Sequence, residues 1–186
     1  DPNVRTSAEA ALVDGGPSAL PLLRRFLNPP NDDLSAANQD LQLVAFEILR
    51  RIGPPAIPAL VGLLRGKRAL IRARAADAFI DLAPDTESIQ PALRGALTDE
   101  YSKVAGDAAR ALGALGPKAT PSVGALVRTL AHEDPNVRIF AAEALASIGP
   151  TAAAATADLV RALDDRVAGV RWAACEALAG IGPAAS

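Results

Sequence analysis

Residues 137–150 read VRIFAAEALASIGP and residues 170–183 read VRWAACEALAGIGP, so one pattern recurs 33 residues further along the chain. Its closing proline occurs six times, at Pro17, Pro54, Pro84, Pro117, Pro150 and Pro183. The intervals between these prolines are 37, 30, 33, 33 and 33 residues. A fixed period of this length is the sequence signature of a repeat architecture. The chain is therefore predicted to consist of copies of one structural unit.

Within each copy, apolar residues recur at the spacing of one face of an α-helix. The copies are counted from a Val-like position, which is Val4, Leu41, Ile71, Val104, Val137 and Val170. Apolar residues fall at offsets 0, 4, 7, 8 and 11 from it. Alanines at offsets 4 and 7 favour close approach of another helix. A glycine precedes the closing proline in all copies but one, which has Ala83, and this pair predicts the end of the helix.

A second helical pattern lies between the copies, in leucine pairs such as Leu93 with Leu97 and Leu126 with Leu130. Each repeat is therefore predicted to be two helices. The predicted fold is all-α, an α-solenoid of antiparallel helix pairs with repeats of about 33 residues. We expect a single repeat domain with a half repeat at 1–17 and full repeats at 18–54, 55–84, 85–117, 118–150 and 151–183.

Two features of the repeat array are irregular. The 37-residue interval contains the polar, turn-rich residues 28–33, which predict a protruding loop between two helices. We interpret this loop as a tolerated insertion rather than a binding element. Neither terminal helix has the polar outer face of a solenoid cap, so we expect a fragment of a longer chain, with possible end-to-end self-association through the uncapped terminal helices.

Composition excludes several classes of function. The net charge is −2 over 186 residues and the charges are evenly spread, which disfavours nucleic acid or a membrane surface as partner. The longest uncharged stretch, 144–157, is too short to cross a bilayer. With one histidine and one cysteine, no metal site is expected, and no cofactor. We expect a soluble chain, with the cytoplasm favoured but the compartment left open.

No constellation of catalytic residues appears in the sequence, so we predict that the protein is not an enzyme. His132 lies in the turn before Asp134, where a solvated loop residue is expected. Cys175, at offset 5 of its helix, is interpreted as a small helix-packing residue.

The repeat resembles the short bacterial HEAT-like repeat first associated with phycobilisome bilin lyases, the PBS lyase HEAT-like family. The stretch DPNVR, present at 1–5 and again at 134–138, carries much of the resemblance. The family implies a ladder between repeats, formed by an aspartate in the turn and an arginine early in the second helix. In this chain the resemblance implies the pairs Asp1 with Arg5 and Asp134 with Arg138. The arginine recurs as Arg72 and Arg171, and the ladder is broken at Gln42 and Ala105.

The face opposite the core stripe, at offsets 2 and 6 of the second helices, is the candidate partner surface, expected to be concave as in HEAT-like solenoids. The candidate binding residues are Trp172, Ile139, Leu43, Glu143, Glu176, Arg110, Asp77 and Glu47. Trp172 could anchor a partner protein. Alternatively, it could fold over its own helix pair or pack against a next repeat that lies outside this sequence. The first hypothesis is a protein-binding scaffold. The alternative is a component of a bilin lyase-like complex that positions a tetrapyrrole, and nucleic-acid binding ranks last.

Overall fold

The computed structural model describes residues 12–27, 36–82 and 86–182. The sequence-predicted ladder residues Asp1 and Arg5 and the predicted loop at 28–33 lie outside these ranges. The chain forms two compact units, Asp1–Ala83 and Pro84–Ser186. The boundary lies one residue before the predicted boundary between the repeats 55–84 and 85–117.

Unit 1 contains two helix pairs in its described part. Helices α1 (Leu20–Leu27) and α2 (Ala36–Ile52) form the first pair, and α3 (Ile57–Leu63) and α4 (Ala69–Asp81) form the second. Short 3₁₀ segments, Gly16–Ala19 and Pro54–Ala56, lead into α1 and α3. Proline at the first positions of these segments removes an N–H that has no helical acceptor there. Helix α2 packs against α4.

Unit 2 contains three helix pairs. Their bounds are α5 (Thr86–Ala96), α6 (Ser102–Ala114), α7 (Val123–Thr129), α8 (Pro135–Ile148), α9 (Thr156–Ala162) and α10 (Ala168–Ile181). In each pair the first helix packs on the second, and the second helices pack side by side in the order α6, α8, α10. The described residues are helical and contain no strand, which confirms the predicted all-α repeat solenoid.

The glycine before each closing proline has a positive φ. The angles are 50° at Gly16, 76° at Gly53, 55° at Gly116, 71° at Gly149 and 74° at Gly182. Residues with a side chain rarely adopt this conformation. The glycine ends the second helix of a repeat, as the sequence predicted. The described prolines that follow these glycines lie at the start of a 3₁₀ segment, which the sequence did not predict.

Small residues form the seam between second helices. The alanines at offsets 4 and 7 of α6, α8 and α10 are at most 2% exposed. A β-carbon added at Gly113 of α6 would lie 3.0 Å from Cα of Ala144 in α8. The helices therefore meet almost backbone to backbone, as the alanines predicted.

One predicted core position is wrong. Leu41, the Val-like residue of α2, is 50% exposed, whereas its equivalents Ile71, Val104, Val137 and Val170 are at most 2% exposed. Gln42 beside it is buried instead. The core stripe of α2 therefore starts later, at Ala45 and Ile48, which are both 3% exposed.

The stretch Pro135–Ala162 is the one described segment long and apolar enough to cross a membrane by length and composition alone. In the structure it is two helices, α8 and α9, which are separated by the 3₁₀ segment Gly149–Ala155. Several of its apolar residues, such as Leu145 and Leu159, are fully buried in unit 2, although Val160 is 50% exposed. The segment is therefore the second helix of one pair followed by the first helix of the next pair.

Candidate partner-binding surface

The offset-6 residues of the second helices form the exposed row that the sequence predicted. Glu47 lies on α2 and Asp77 on α4 in unit 1, while Arg110, Glu143 and Glu176 lie on α6, α8 and α10 in unit 2. All are exposed except Asp77, which is half-buried. At these positions unit 1 has two acids, and unit 2 has two acids and one cation.

Helices α8 and α10 place four of the predicted binding residues together, and we name them the Trp172 patch: Ile139, Glu143, Trp172 and Glu176. Each helix contributes an apolar residue and a glutamate four positions later, so the two side chains lie on one face, about 6 Å apart at Cβ. Adjacent packed helices lie about 8–10 Å apart. The patch is therefore an apolar row beside an acidic row.

Trp172 is 62% exposed, so it does not fold over its own helix pair. Its equivalent Ile139 is half-buried, because Gly169 of α10 lies against it. A β-carbon at Gly169 would approach Cδ1 of Ile139 to 3.0 Å. Glycine at this position thus lets α10 close over Ile139, and Trp172 remains open to solvent.

The glutamates of the patch are not neutralised by their neighbours. Neither the Glu143 nor the Glu176 carboxylate forms a hydrogen bond or ion pair with the described residues of the chain. Arg110, the predicted cation of the row, is engaged elsewhere. Its guanidinium lies 5.6 Å from the ring centroid of Phe140, and its Nη1 lies 3.5 Å from Oδ1 of Asp107. The patch is consequently a surface with negative charge.

Sequence reasoning missed the groove between α6 and α8. It has a volume of about 320 Å³ and its lining includes Lys103, Gly106, Asp107, Arg110 and Phe140. Gly106 at offset 2 is buried rather than exposed, because Cδ2 of Phe140 lies 3.1 Å from the position that its β-carbon would take. A residue at offset 2 is therefore exposed to solvent only where no neighbouring residue covers it. Ala73, at the same offset of α4, is also buried.

Unit 1 brings Leu43, Glu47 and Asp77 to a second groove, with a volume of about 370 Å³. Leu43 is 42% exposed at its rim. Arg50 crosses from α2 to α4, where its guanidinium binds Asp77 and, at 3.1 Å, Oδ2 of Asp81. The Asp77 carboxylate is thus held in an ion pair, unlike the glutamates of the Trp172 patch.

The predicted ladder exists between α8 and the turn before α10, but with a different aspartate. Arg138 donates from Nε and Nη2 to the two carboxylate oxygens of Asp165, at 2.8 and 2.9 Å. Asp134 instead caps its own helix, since its Oδ1 accepts from the N–H of Asn136 at 2.8 Å. The pairing of Asp134 with Arg138 was therefore wrong. The Arg138–Asp165 pair, which we call the rung, links one repeat to the turn of the next.

The ladder arginines share one anchor. Nη1 of Arg72, Arg138 and Arg171 donates to the carbonyl of the residue six positions earlier, at 3.1, 2.8 and 2.8 Å. This carbonyl belongs to the turn between the two helices of the same repeat. Each arginine thus fixes its own turn, and in Arg138 the opposite edge of the guanidinium is free to bind Asp165.

His132 is not simply a solvated loop residue. Asp99, His132 and Asp165 occupy the same position, five residues before the Val-like residue, and each accepts a hydrogen bond from the N–H two residues later, at 3.0, 3.0 and 2.8 Å. In His132 the acceptor is Nδ1. The imidazole thus replaces a carboxylate as the cap of this turn.

Cys175 is exposed, which corrects the expectation that it packs between helices. Its equivalent in α8, Ala142, is fully buried against the next pair. Among the described residues, no three His, Cys, Asp or Glu side chains lie together in a way that could hold a metal ion.

Helix pairs that repeat every 33 residues, joined by an arginine–aspartate rung, define the architecture of unit 2. Residues 89–179 match the family model for HEAT repeats. The matched segment therefore includes the Arg138–Asp165 pair, the groove beside Phe140 and the Trp172 patch. A comparison with curated proteins finds no match.

Solved structures of helical-repeat proteins resemble the chain. An engineered protein is 28% identical over 96% of this chain and 84% of its own, with a TM-score of 0.64. The complex of CpcE and CpcF of the phycocyanin lyase from Nostoc sp. PCC7120 is 20% identical over 86% of this chain and 98% of that chain, with a TM-score of 0.69. A designed armadillo repeat protein, solved with the peptide (KR)4, is 23% identical over 87% and 81%, with a TM-score of 0.62. The likeness to the last two structures shows only that this chain shares their fold.

Proposed function

We propose that this chain is a non-catalytic scaffold that binds a partner protein through the Trp172 patch. The observation that carries the proposal is the 62% exposure of Trp172 beside two unpaired glutamates. Tryptophan is enriched among the residues that dominate binding energy at interfaces, since it buries a large apolar area with few rotatable bonds. An exposed tryptophan on a packed helix pair is thus suited to act as an anchor.

The negative charge of the patch favours a partner segment with positive charge. A lysine or arginine side chain could lie on the indole face while its cation approaches Glu143 or Glu176. The cation–π contact contributes about 0.5–1 kcal/mol at an exposed site, and each exposed ion pair about 0.2–1 kcal/mol. The partner segment is therefore expected to be basic. The exposed acids also argue against nucleic acid, whose phosphates they would repel.

Leu43, Glu47 and Asp77 are proposed as a further contact region in unit 1. They line one open groove, and the exposed leucine lies beside carboxylates as Trp172 does in unit 2. Because Asp77 is already paired with Arg50, this region offers less free negative charge. We expect it to contribute less to binding than the Trp172 patch.

Fluorescence titration tests the proposal directly, because Trp172 is the only tryptophan of the chain. The peptide (KR)4 serves as the basic probe, and an acidic peptide (DE)4 of equal length is its control. We expect a saturable change in Trp172 emission with (KR)4 alone, which weakens as salt is added. The double variant Glu143→Gln with Glu176→Gln should weaken binding by about two- to thirtyfold.

Glu133→Gln is the matched control variant, because Glu133 is an exposed acid in the turn before α8, away from the patch. It removes one negative charge but should leave the affinity for (KR)4 within about twofold of the wild type. Equal binding by all variants, or equal response to both peptides, would refute the Trp172 patch as the binding surface.

The likeness in fold to the CpcE–CpcF complex favours the second candidate, a component of a bilin lyase-like complex. In that case the chain would help to position a tetrapyrrole. Addition of a free bilin should then shift its visible absorption spectrum and quench Trp172 fluorescence. An unchanged bilin spectrum at saturating protein would remove this candidate, and it would leave the scaffold proposal untouched.

A further inference from the structure

A groove lies between the first helices α5 and α7 of unit 2, on elements that do not contribute to the Trp172 patch. It has a volume of about 260 Å³. Its lining residues come from the two helices and from the turns that follow them: Arg94, Leu97, Thr98, Asp99, Ala125, Arg128, Thr129, Ala131 and His132. The lining therefore combines cationic side chains with apolar ones.

Arg94 and Arg128 bring two unengaged charges to this groove. Neither guanidinium forms a hydrogen bond or an ion pair with the described residues. The equivalent of Arg128 in the next repeat is Arg161, which binds Asp158 three residues earlier. Helix α7 has Ala125 at the position of Asp158. The alanine thus leaves Arg128 without the partner that its equivalent has, and its guanidinium is available to a ligand.

His132 contributes a neutral donor. Its Nδ1 accepts a hydrogen bond from the N–H of Asp134 at 3.0 Å, so the neutral imidazole carries its proton on Nε2. Nε2 has no partner among the described residues. In the equivalent turns, Asp99 and Asp165 form the same cap with a carboxylate. The histidine therefore keeps the cap of the turn and supplies an N–H donor in place of a negative charge.

The acids near the groove favour a ligand with a single negative charge. Asp99 is the only acid among the described lining residues, and it is engaged. Its Oδ1 accepts from the N–H of Tyr101 at 3.0 Å, and it has a further interaction partner. Glu100 and Glu133, each next to a lining residue in the chain, are exposed. They would repel an extended polyanion more strongly than one carboxylate.

We propose that this groove binds an aspartate or glutamate side chain of a partner protein segment that has an apolar residue beside the acid. The carboxylate accepts hydrogen bonds from Arg94, Arg128 and Nε2 of His132. The apolar residue lies against Ala125 and Ala131. The groove is smaller than the pockets of about 300–1,000 Å³ that enclose drug-sized ligands, so it suits a side-chain group of a larger partner. The site is separate from the Trp172 patch and prefers the opposite charge.

An NMR titration of the full chain tests the site. The probe is the tripeptide Leu-Glu-Leu with both termini blocked, and its control is the blocked tripeptide Leu-Gln-Leu. We expect saturable shifts of the Nε–H signals of Arg94 and Arg128 with the acidic peptide. The neutral peptide should bind at least about tenfold more weakly. Equal binding of the two peptides, or no shift of either arginine signal, would overturn the proposal.

Variants of α7 identify the contact itself. Arg128→Gln should weaken binding of the acidic peptide by about three- to tenfold. Ala125→Asp should weaken it at least as much, because it gives Arg128 the internal partner that Arg161 has in Asp158. Arg161→Gln is the matched control and should leave the affinity within about twofold of the wild type. If Arg128→Gln and Ala125→Asp both bind as the wild type does, Arg128 is not part of a site and the proposal fails.

His132→Asp tests the third donor without removing the cap of the turn, since aspartate forms this cap in the equivalent turns. We expect it to weaken binding of the acidic peptide by about threefold or more, because a carboxylate replaces the N–H donor. Butyrate and inorganic phosphate test the class of ligand at equal ionic strength. If either binds as tightly as the acidic peptide, the groove takes a free anion and the assignment to a protein side chain is overturned.

Discussion

Arg138 and Asp165 connect two successive helix pairs through two parallel hydrogen bonds, at 2.8 and 2.9 Å. The side chains are only 7% and 14% exposed. The same guanidinium donates to the carbonyls of His132 and Glu133, at 2.8 and 3.1 Å. One side chain thus satisfies a carboxylate of the next repeat and two carbonyls of its own turn.

Substitution of this arginine should therefore destabilise unit 2. Arg138→Gln removes two hydrogen bonds from a largely buried carboxylate, which keeps only the N–H of Val167, and one from each of two carbonyls. We therefore expect a loss of about 2–4 kcal/mol in the free energy of unfolding. Arg161→Gln is the control, because the Arg161–Asp158 pair is 71% and 29% exposed and should contribute less than about 1 kcal/mol. Urea unfolding followed by Trp172 fluorescence measures both, and similar losses would contradict the assigned role.

The rung also predicts a pH dependence. Hydrogen bonds from Arg138 lower the pKa of Asp165 below its ordinary value of 3.8, assisted by the N–H of Val167, although desolvation raises it. Because the folded pKa is the lower one, the carboxylate contributes its full stability above about pH 3.8 and loses it as the pH falls through the folded pKa. Wild type should exceed Asp165→Asn in stability at pH 7, and the difference should shrink at pH 3. A difference independent of pH would contradict the prediction.

The seam between α6 and α8 should not tolerate even a methyl group. A β-carbon at Gly113 would lie 3.0 Å from Cα and 3.2 Å from Cβ of Ala144. We expect Gly113→Ala to cost about 1–3 kcal/mol. Gly95→Ala in α5 meets nothing within 4 Å and should instead stabilise by about 0.5–1 kcal/mol. Urea unfolding of both variants checks the opposite signs.

The exposure of Cys175 predicts rapid modification of the native protein. A thiol reagent should label it at nearly the rate seen in the unfolded chain. The variant Cys175→Ala with Ala142→Cys moves the thiol to the fully buried equivalent position in α8. Labelling should then be at least about tenfold slower, because it requires local opening of the helix pairs. Equal rates would show that the face of α8 is not covered.

The sequence predicted the helix pairs well because their pattern is local. The 3.6-residue period identifies the core face of the second helices, apart from Leu41 in α2, and the Gly-Pro pair marks the helix end in every copy except the one with Ala83. Local periodicity could not show that Ala73 and Gly106 are buried at offset 2, where Ile139 is half-buried and Trp172 is exposed. That difference depends on the neighbouring helix, as the contact of Phe140 with Gly106 demonstrates.

The rung was misassigned for a related reason. A repeat pattern shows which residues recur, but it does not show which copy supplies the partner of each residue. One signal in the sequence could have helped. Arg138 in one repeat is followed by Asp165 in the next, whereas Ala105 is followed by His132 at the same position. The loss of both members together indicates that arginine and aspartate act across repeats.

Alanine and glycine at the seam have a consequence for the entropy of assembly. These side chains have no rotamers to lose, so bringing two second helices together orders little besides the backbone. Each contact also gains little, since a methyl group buries a small area. Many positions therefore each contribute a small part of the free energy of unfolding. This free energy should increase by a nearly equal amount with each added helix pair.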